Sequence, residues 1–151
     1  MHRRLLGREP NTAAMSERLP PRRASRALDT IAPDGSEIRL IADRDQGATR
    51  ASLCEVRLPR GAVTRPISHH SVEEIWYVLE GRGHVWRSPP GGSGDTVDVA
   101  PGDALVIPTG WRFQFSADDD ELRFLCYTSP PWPGPEEAEP AASGGLGTPT
   151  V

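Results

Sequence analysis

GAVTRPISHHSVEEIWYVLEG, residues 61–81, is followed by GDALVIPTG, residues 102–110, and these two stretches decide the fold. In the first, EIWYVLE (74–80) has the two-residue period of a strand, with Glu74, Trp76 and Val78 on one face. In the second, ALVI (104–107) lies between the turn clusters Pro101-Gly102-Asp103 and Pro108-Thr109-Gly110. Pro108 ends its strand because it offers no ladder donor. Gly81 and Gly110 suit tight turns that need a left-handed backbone. Working outward, strands are predicted at 36–42 (SEIRLIA), 50–58 (RASLCEVRL), 83–87 (GHVWR), 96–99 (TVDV), 111–115 (WRFQF) and 121–127 (ELRFLCY). Eight short strands at near-regular spacing, without a convincing helix, predict a small all-β barrel.

Composition narrows the function classes. No run approaches the roughly 18 apolar residues of a spanning helix, so no membrane partner is expected. A net charge of −4 argues against a nucleic-acid partner. Sixteen Pro and 15 Gly argue against a helix bundle. All 17 basic residues are Arg, which suggests a GC-rich, bacterial gene, and a cytoplasmic location is expected. Cys54 and Cys126 form no metal-binding or CxxC pattern; both sit in apolar alternating runs and read as buried free thiols rather than a disulfide.

Three segments are expected. Residues 1–30 carry seven Arg against Glu9, Glu17 and Asp29 and read as a disordered leader, with Met15 as an alternative start. Residues 31–130 hold the barrel. Residues 131–151 are dominated by Pro, Gly, Ala and Glu, and disorder is expected beyond about Pro135, with Trp132 as an anchor on the domain.

The two opening stretches resemble the paired motifs of the cupin superfamily, over roughly residues 35–128. Gly61, Glu74 and Gly81 match the first motif; Gly102, Pro108 and Gly110 match the second. The resemblance implies a single double-stranded β-helix, or jelly-roll, barrel. It also implies a metal held by two His and a Glu of the first motif with a His of the second, a set that suits iron, manganese, nickel or zinc. Here the set is incomplete. Counted from Gly61, the two His positions hold Ile67 and His69; counted back from Glu74, they hold Ser68 and His70. The second-motif His position holds Phe113, and its terminal Asn position holds Ala117.

Strand parity puts His70 and Glu74 on one face, whereas His69 needs a bulge or loop to join them. The candidate metal ligands are therefore His69, His70 and Glu74. Candidate ligand-binding residues are Glu74, Trp76, Arg112 and Gln114; Phe113 and Phe115 read as barrel packing. Gln114, Arg112 and His84, the last on the next strand, are the candidates near the barrel to replace the missing metal ligand. No catalytic residue is assigned. The main expectation is a barrel that binds a small organic ligand with an incomplete metal site. The alternative is a metal-dependent oxygenase, isomerase or lyase using His69 or His70 with Glu74, and metal-free acid–base chemistry by a His–Glu pair is a further option. A homodimer is the expected assembly for a small barrel with exposed sheet edges.

Overall fold

Strand β5 (Glu73–Glu80) alternates exposed and buried residues along most of its length, turning Glu74, Trp76 and Val78 inward and Ile75 and Tyr77 outward. That alternation is what a sheet with one solvated face demands. The computed structural model describes residues 18–151. Around β5 lie β1 (Thr30–Ile31), β2 (Glu37–Ala42), β3 (Ser52–Leu58), β4 (Ile67–His69) and β6 (Gly83–Ser88). The later strands are β7 (Asp95–Val99), β8 (Ala104–Ile107), β9 (Arg112–Ala117), β10 (Leu122–Ser129) and β11 (Ala138–Pro140). One sheet runs β1-β2-β3-β10-β5-β8 and the other β11-β4-β9-β6-β7, with antiparallel pairing throughout. This is the all-β jelly-roll barrel expected. Each of the eight predicted strands is present, and Gly81 and Gly110 take left-handed backbone at φ 80° and 82°.

The inner faces meet in an aromatic core. Trp76 stacks on Phe124 at 4.2 Å between ring centroids and meets Phe115 edge-on at 4.9 Å. Phe113, Phe115 and Phe124 are fully buried. Such pairs add about 0.5–1.5 kcal/mol each beyond the area they bury. Outside, Ile75, Tyr77, Val106 and Tyr127 remain 41–48% exposed on the solvated face of the six-stranded sheet.

Between β4 and β5 the chain leaves one sheet for the other through only His70, Ser71 and Val72. Turning that corner removes the Ser71 and Val72 amides from any ladder. Glu137 restores their partners: its carboxylate accepts from the Ser71 amide, from Ser71 Oγ at 2.8 and 2.9 Å, and from the Val72 amide at 2.8 Å. The His70 amide donates to the Glu137 carbonyl at 2.9 Å.

The C-terminal segment departs from expectation. Beyond Pro135, where disorder was expected, β11 pairs with β4 in the register Ala138↔His69. The chain then crosses the outer face of β9 and β6. Gln114 grips it, donating to the Gly147 carbonyl at 3.0 Å and accepting from the Leu146 amide at 2.8 Å. A side-chain carbon at Gly144 would collide with the Gln114 amide, and one at Gly145 with the Trp86 indole. Two further bonds at 2.9 Å tie Val63 to Thr150: the Thr150 amide donates to the Val63 carbonyl, and the Val63 amide donates to Thr150 Oγ1. A tally of apolar side chains misses this segment because backbone pairing, one buried carboxylate and close glycine contact hold it. The expectations for residues 1–17 lie outside the described residues.

Two substitutions test this attachment. Glu137→Ala leaves the Val72 amide buried without a partner and is expected to cost about 1–3 kcal/mol in urea unfolding. Gly145→Val is expected to free the C-terminal segment, giving fast hydrogen exchange at the Ala141 and Thr150 amides while β10 stays protected.

Candidate functional site

A cavity of about 380 Å³ lies between the sheets, at the small end of ordinary ligand pockets. Its walls are mostly apolar, including Leu40, Trp76, Phe113 and Phe124. Exposed lining at Ile31 and Pro135 marks where it meets solvent. Its polar lining residues are the acids Asp34, Asp43 and Glu74, the imidazole of His69, the hydroxyl residues Thr30, Ser36, Ser52 and Thr128, and the thiols Cys54 and Cys126.

His69 ends β4 and Glu74 is the second residue of β5, so the three-residue corner brings them from opposite sheets to face each other. His69 Nδ1 lies 4.0 Å from Glu74 Oε2. Glu74 Oε1 accepts from Trp76 Nε1 at 3.0 Å. The His69 ring is 4% exposed, tilted on Phe113 at 5.2 Å and edge-on to Trp132 at 5.3 Å. Its Nδ1 is buried with no hydrogen-bond partner. An unpartnered polar atom in such surroundings costs free energy unless a guest satisfies it.

Burial sets the protonation of the pair. Desolvation raises Glu74 from its ordinary 4.5 to about 7, against a smaller opposing contribution from the Trp76 hydrogen bond and with support from nearby Asp34. Desolvation lowers His69 from 6.5 to about 4; Glu137 acts against that shift and His70 acts with it. Burial raises Asp34 too, although Ser36 donates to it from its amide at 2.9 Å and its hydroxyl at 2.6 Å. For Glu137, burial raises the carboxyl, but the Ser71 and Val72 hydrogen bonds outweigh it and leave it below the ordinary value. At neutral pH the cavity therefore holds a neutral imidazole opposite a carboxyl near its midpoint. The 4.0 Å separation is not a buried ion pair, since removing both charges from water would cost more than their attraction returns.

The structure separates the predicted residues into two groups. His69, Glu74 and Trp76 face the cavity. His70, the parity choice, points to solvent, with a side chain 54% exposed and Nδ1 3.8 Å from Glu139. Parity fails because it assumes one continuous strand from 70 to 74, and the corner interrupts it. Arg112 and Gln114 do not line the cavity. Arg112 lies over the Trp86 ring and donates to Ser88 Oγ at 2.8 Å. Gln114 is fully buried, but under the C-terminal segment. His84 spans Asp98 at 3.1 Å and Asp118 at 3.0 Å, also away from the cavity. Sequence reasoning missed Asp34, Thr128 and the placing of the two thiols inside. For Thr128 the signal was present, because it lies two residues beyond Cys126 on the same strand face. A second hollow of about 610 Å³, near Arg65 and Ala141, is an open seam beneath the C-terminal segment.

The metal implied by the motif spacing meets a poor donor set. His69 and Glu74 occupy two ligand positions, while Phe113 fills the second-motif position with a ring packed on His69. Among the described residues, no three His, Cys, Asp or Glu side chains group as metal ligands. A catalytic site ordinarily offers three. The residues present do not fit that metal.

Comparison with known proteins agrees with the architecture. Residues 54–128 match the family model for the cupin domain. A curated but uncharacterised protein of Methanocaldococcus jannaschii is 32% identical over 104 residues, covering 68% of this chain and 79% of that protein. The chain belongs to the cupin superfamily. Its fold is shared with KdgF from Halomonas sp., at TM-score 0.57 and 23% identity over 70% of this chain and 88% of that one. Oxalate decarboxylase from Bacillus subtilis aligns at TM-score 0.68 and 18% identity, over 80% of this chain but 32% of that longer protein. Among the described residues, no helix is long and apolar enough to cross a membrane.

The shifted pair predicts a particular dependence of stability on pH. Folded Glu74 keeps its proton up to about 7 and the unfolded chain loses it near 4.5, so its contribution falls as pH rises between those values. Folded His69 stays neutral down to about 4 while the unfolded chain protonates near 6.5, so its contribution rises over that window. In the wild type the two slopes oppose each other. Urea unfolding of Glu74→Gln should show stability relative to wild type climbing by about 3 kcal/mol from pH 4.5 to 7. His69→Phe should show a relative decline from pH 4 to 6.5.

Proposed function

We propose that the barrel interior binds a small, uncharged organic molecule whose polar group bridges His69 Nδ1 and Glu74 Oε2. The observation that carries this reading is the buried, unpartnered His69 Nδ1 facing the Glu74 carboxyl at 4.0 Å inside an apolar cavity. A hydroxyl or carbonyl group satisfies both atoms, because the protonated carboxyl donates, the ionised one accepts, and imidazole presents either role by tautomer. The ring-lined walls favour a flat or cyclic body. Charged ligands suit the cavity poorly. A dicarboxylate would lie beside Glu74 and Asp34, and no Arg is among the lining residues.

A second reading, metal-free proton transfer on the bound molecule, is favoured by the Glu74 carboxyl titrating at about 7. Such a group gives and takes a proton at neutral pH, and the neutral His69 opposite it holds the reacting oxygen.

Calorimetry and thermal shift with phenol, cyclohexanol, cyclohexanone and oxalate test the proposal. The uncharged rings should bind and raise Tm, and oxalate should do neither. His69→Phe and Glu74→Leu should each weaken binding about tenfold, the equivalent of one lost hydrogen bond. Proton transfer adds deuterium uptake beside the carbonyl of cyclohexanone, abolished in Glu74→Leu. Absence of binding by every uncharged ring, together with one equivalent of iron, manganese, nickel or zinc retained by wild type and lost in Glu74→Leu, contradicts the proposal.

A further inference from the structure

The two cysteines, 72 positions apart in sequence, are direct cross-strand partners: Cys54 on β3 pairs with Cys126 on β10. Directly opposed residues of an antiparallel pair have Cα atoms about 4.5–5.5 Å apart and side chains on the same face. That separation lies within the range a disulfide spans, about 4.4–6.8 Å. Both side chains line the cavity, and both are free thiols. Their environments differ. Cys54 is partly exposed, whereas Cys126 is 3% exposed, with Sγ 3.7 Å from Thr128 Oγ1.

We propose that Cys54 and Cys126 form a reversible oxidation site in the cavity wall, closed to a cross-strand disulfide by a low-molecular-weight disulfide that enters through the cavity mouth. The site goes beyond the ligand-binding reading and does not depend on it. Cys54, the accessible member, attacks as thiolate one sulfur of the incoming disulfide; that S–S bond breaks and the first small thiol leaves. Cys126 then loses its proton and attacks Cys54 Sγ, releasing the second small thiol. The protein pair gives up two electrons and two protons, and the oxidant is reduced to two thiols. Cys126 is buried while Cys54 is partly exposed, so the second step follows the first; the hydrogen bond with Cys54, then burial and the nearby Glu74, also hold the Cys126 thiol well above its ordinary range. The bond ties β3 to β10 directly beside Glu74, whose partner in the β10 register is Thr128.

The test uses the full chain in glutathione buffers of graded oxidised-to-reduced ratio, quenched with iodoacetamide and read by intact mass. As the ratio rises, wild type should pass from two alkylated thiols to none, with the loss of two hydrogens and no lasting glutathione adduct. Excess dithiothreitol should restore both thiols. Cys126→Ser should accumulate a glutathione adduct on Cys54. Cys54→Ser should remain unmodified, because Cys126 is out of reach. The oxidised wild type should melt several degrees higher, since the bond closes a long loop of the unfolded chain. Should wild type stop at a glutathione adduct, keep two alkylatable thiols at every ratio, or lose Cys54 without losing reactivity, the proposal is overturned.

Discussion

Everything at the site depends on the grip of one carboxylate. The chain changes sheets in three residues, and the Glu137 side chain supplies the acceptors that this sharp corner lacks. With the corner fixed, the end of β4 and the start of β5 face each other across the cavity, and His69 meets Glu74. The carboxylate comes from a segment whose composition resembles a loose tail. That segment is instead a third component of the barrel wall, paired to β4 through β11 and pinned at Gln114 and Trp86. Loss of that grip would therefore show itself first at His69.

The second governing fact is low polarity. Aromatic rings surround His69 and Glu74, and desolvation moves their proton affinities in opposite directions, toward the two neutral forms. A metal would need those groups charged or lone-paired toward a common point and a third donor beside them. Phe113 occupies the place where that donor would stand. Here the barrel holds a largely apolar pocket in which His69 and Glu74 are pushed toward their neutral forms, and it is this site, not the fold, from which function has to be argued.

The sequence made the fold legible because glycine and proline spacing, together with period-two alternation, is a backbone requirement that residue type expresses directly. The strands from 74–80 and 104–107 outward are found where they were expected. The site was half legible. Glu74 and Trp76 sit on a long regular strand, so their inward face followed from periodicity. His69 against His70 could not be settled that way, because β4 has only three residues and the corner resets the count. Arg112 and Gln114 were misassigned to the interior for a related reason: Gln114 is buried on the outer face, beneath a segment whose docking has no side-chain pattern. The pairing of Cys54 with Cys126 is a matter of strand order, which joins β3 to β10 across 72 positions of sequence.

The neutral His69–Glu74 pair is the central claim, and NMR titration of the two side chains tests it most directly. With the Glu74 carboxyl labelled in carbon-13 and the His69 ring in nitrogen-15, the carboxyl should titrate at about 7 and the imidazole should stay neutral down to about 4. A carboxylate and an imidazolium coexisting at pH 6 would make the pair an ion pair and contradict the account.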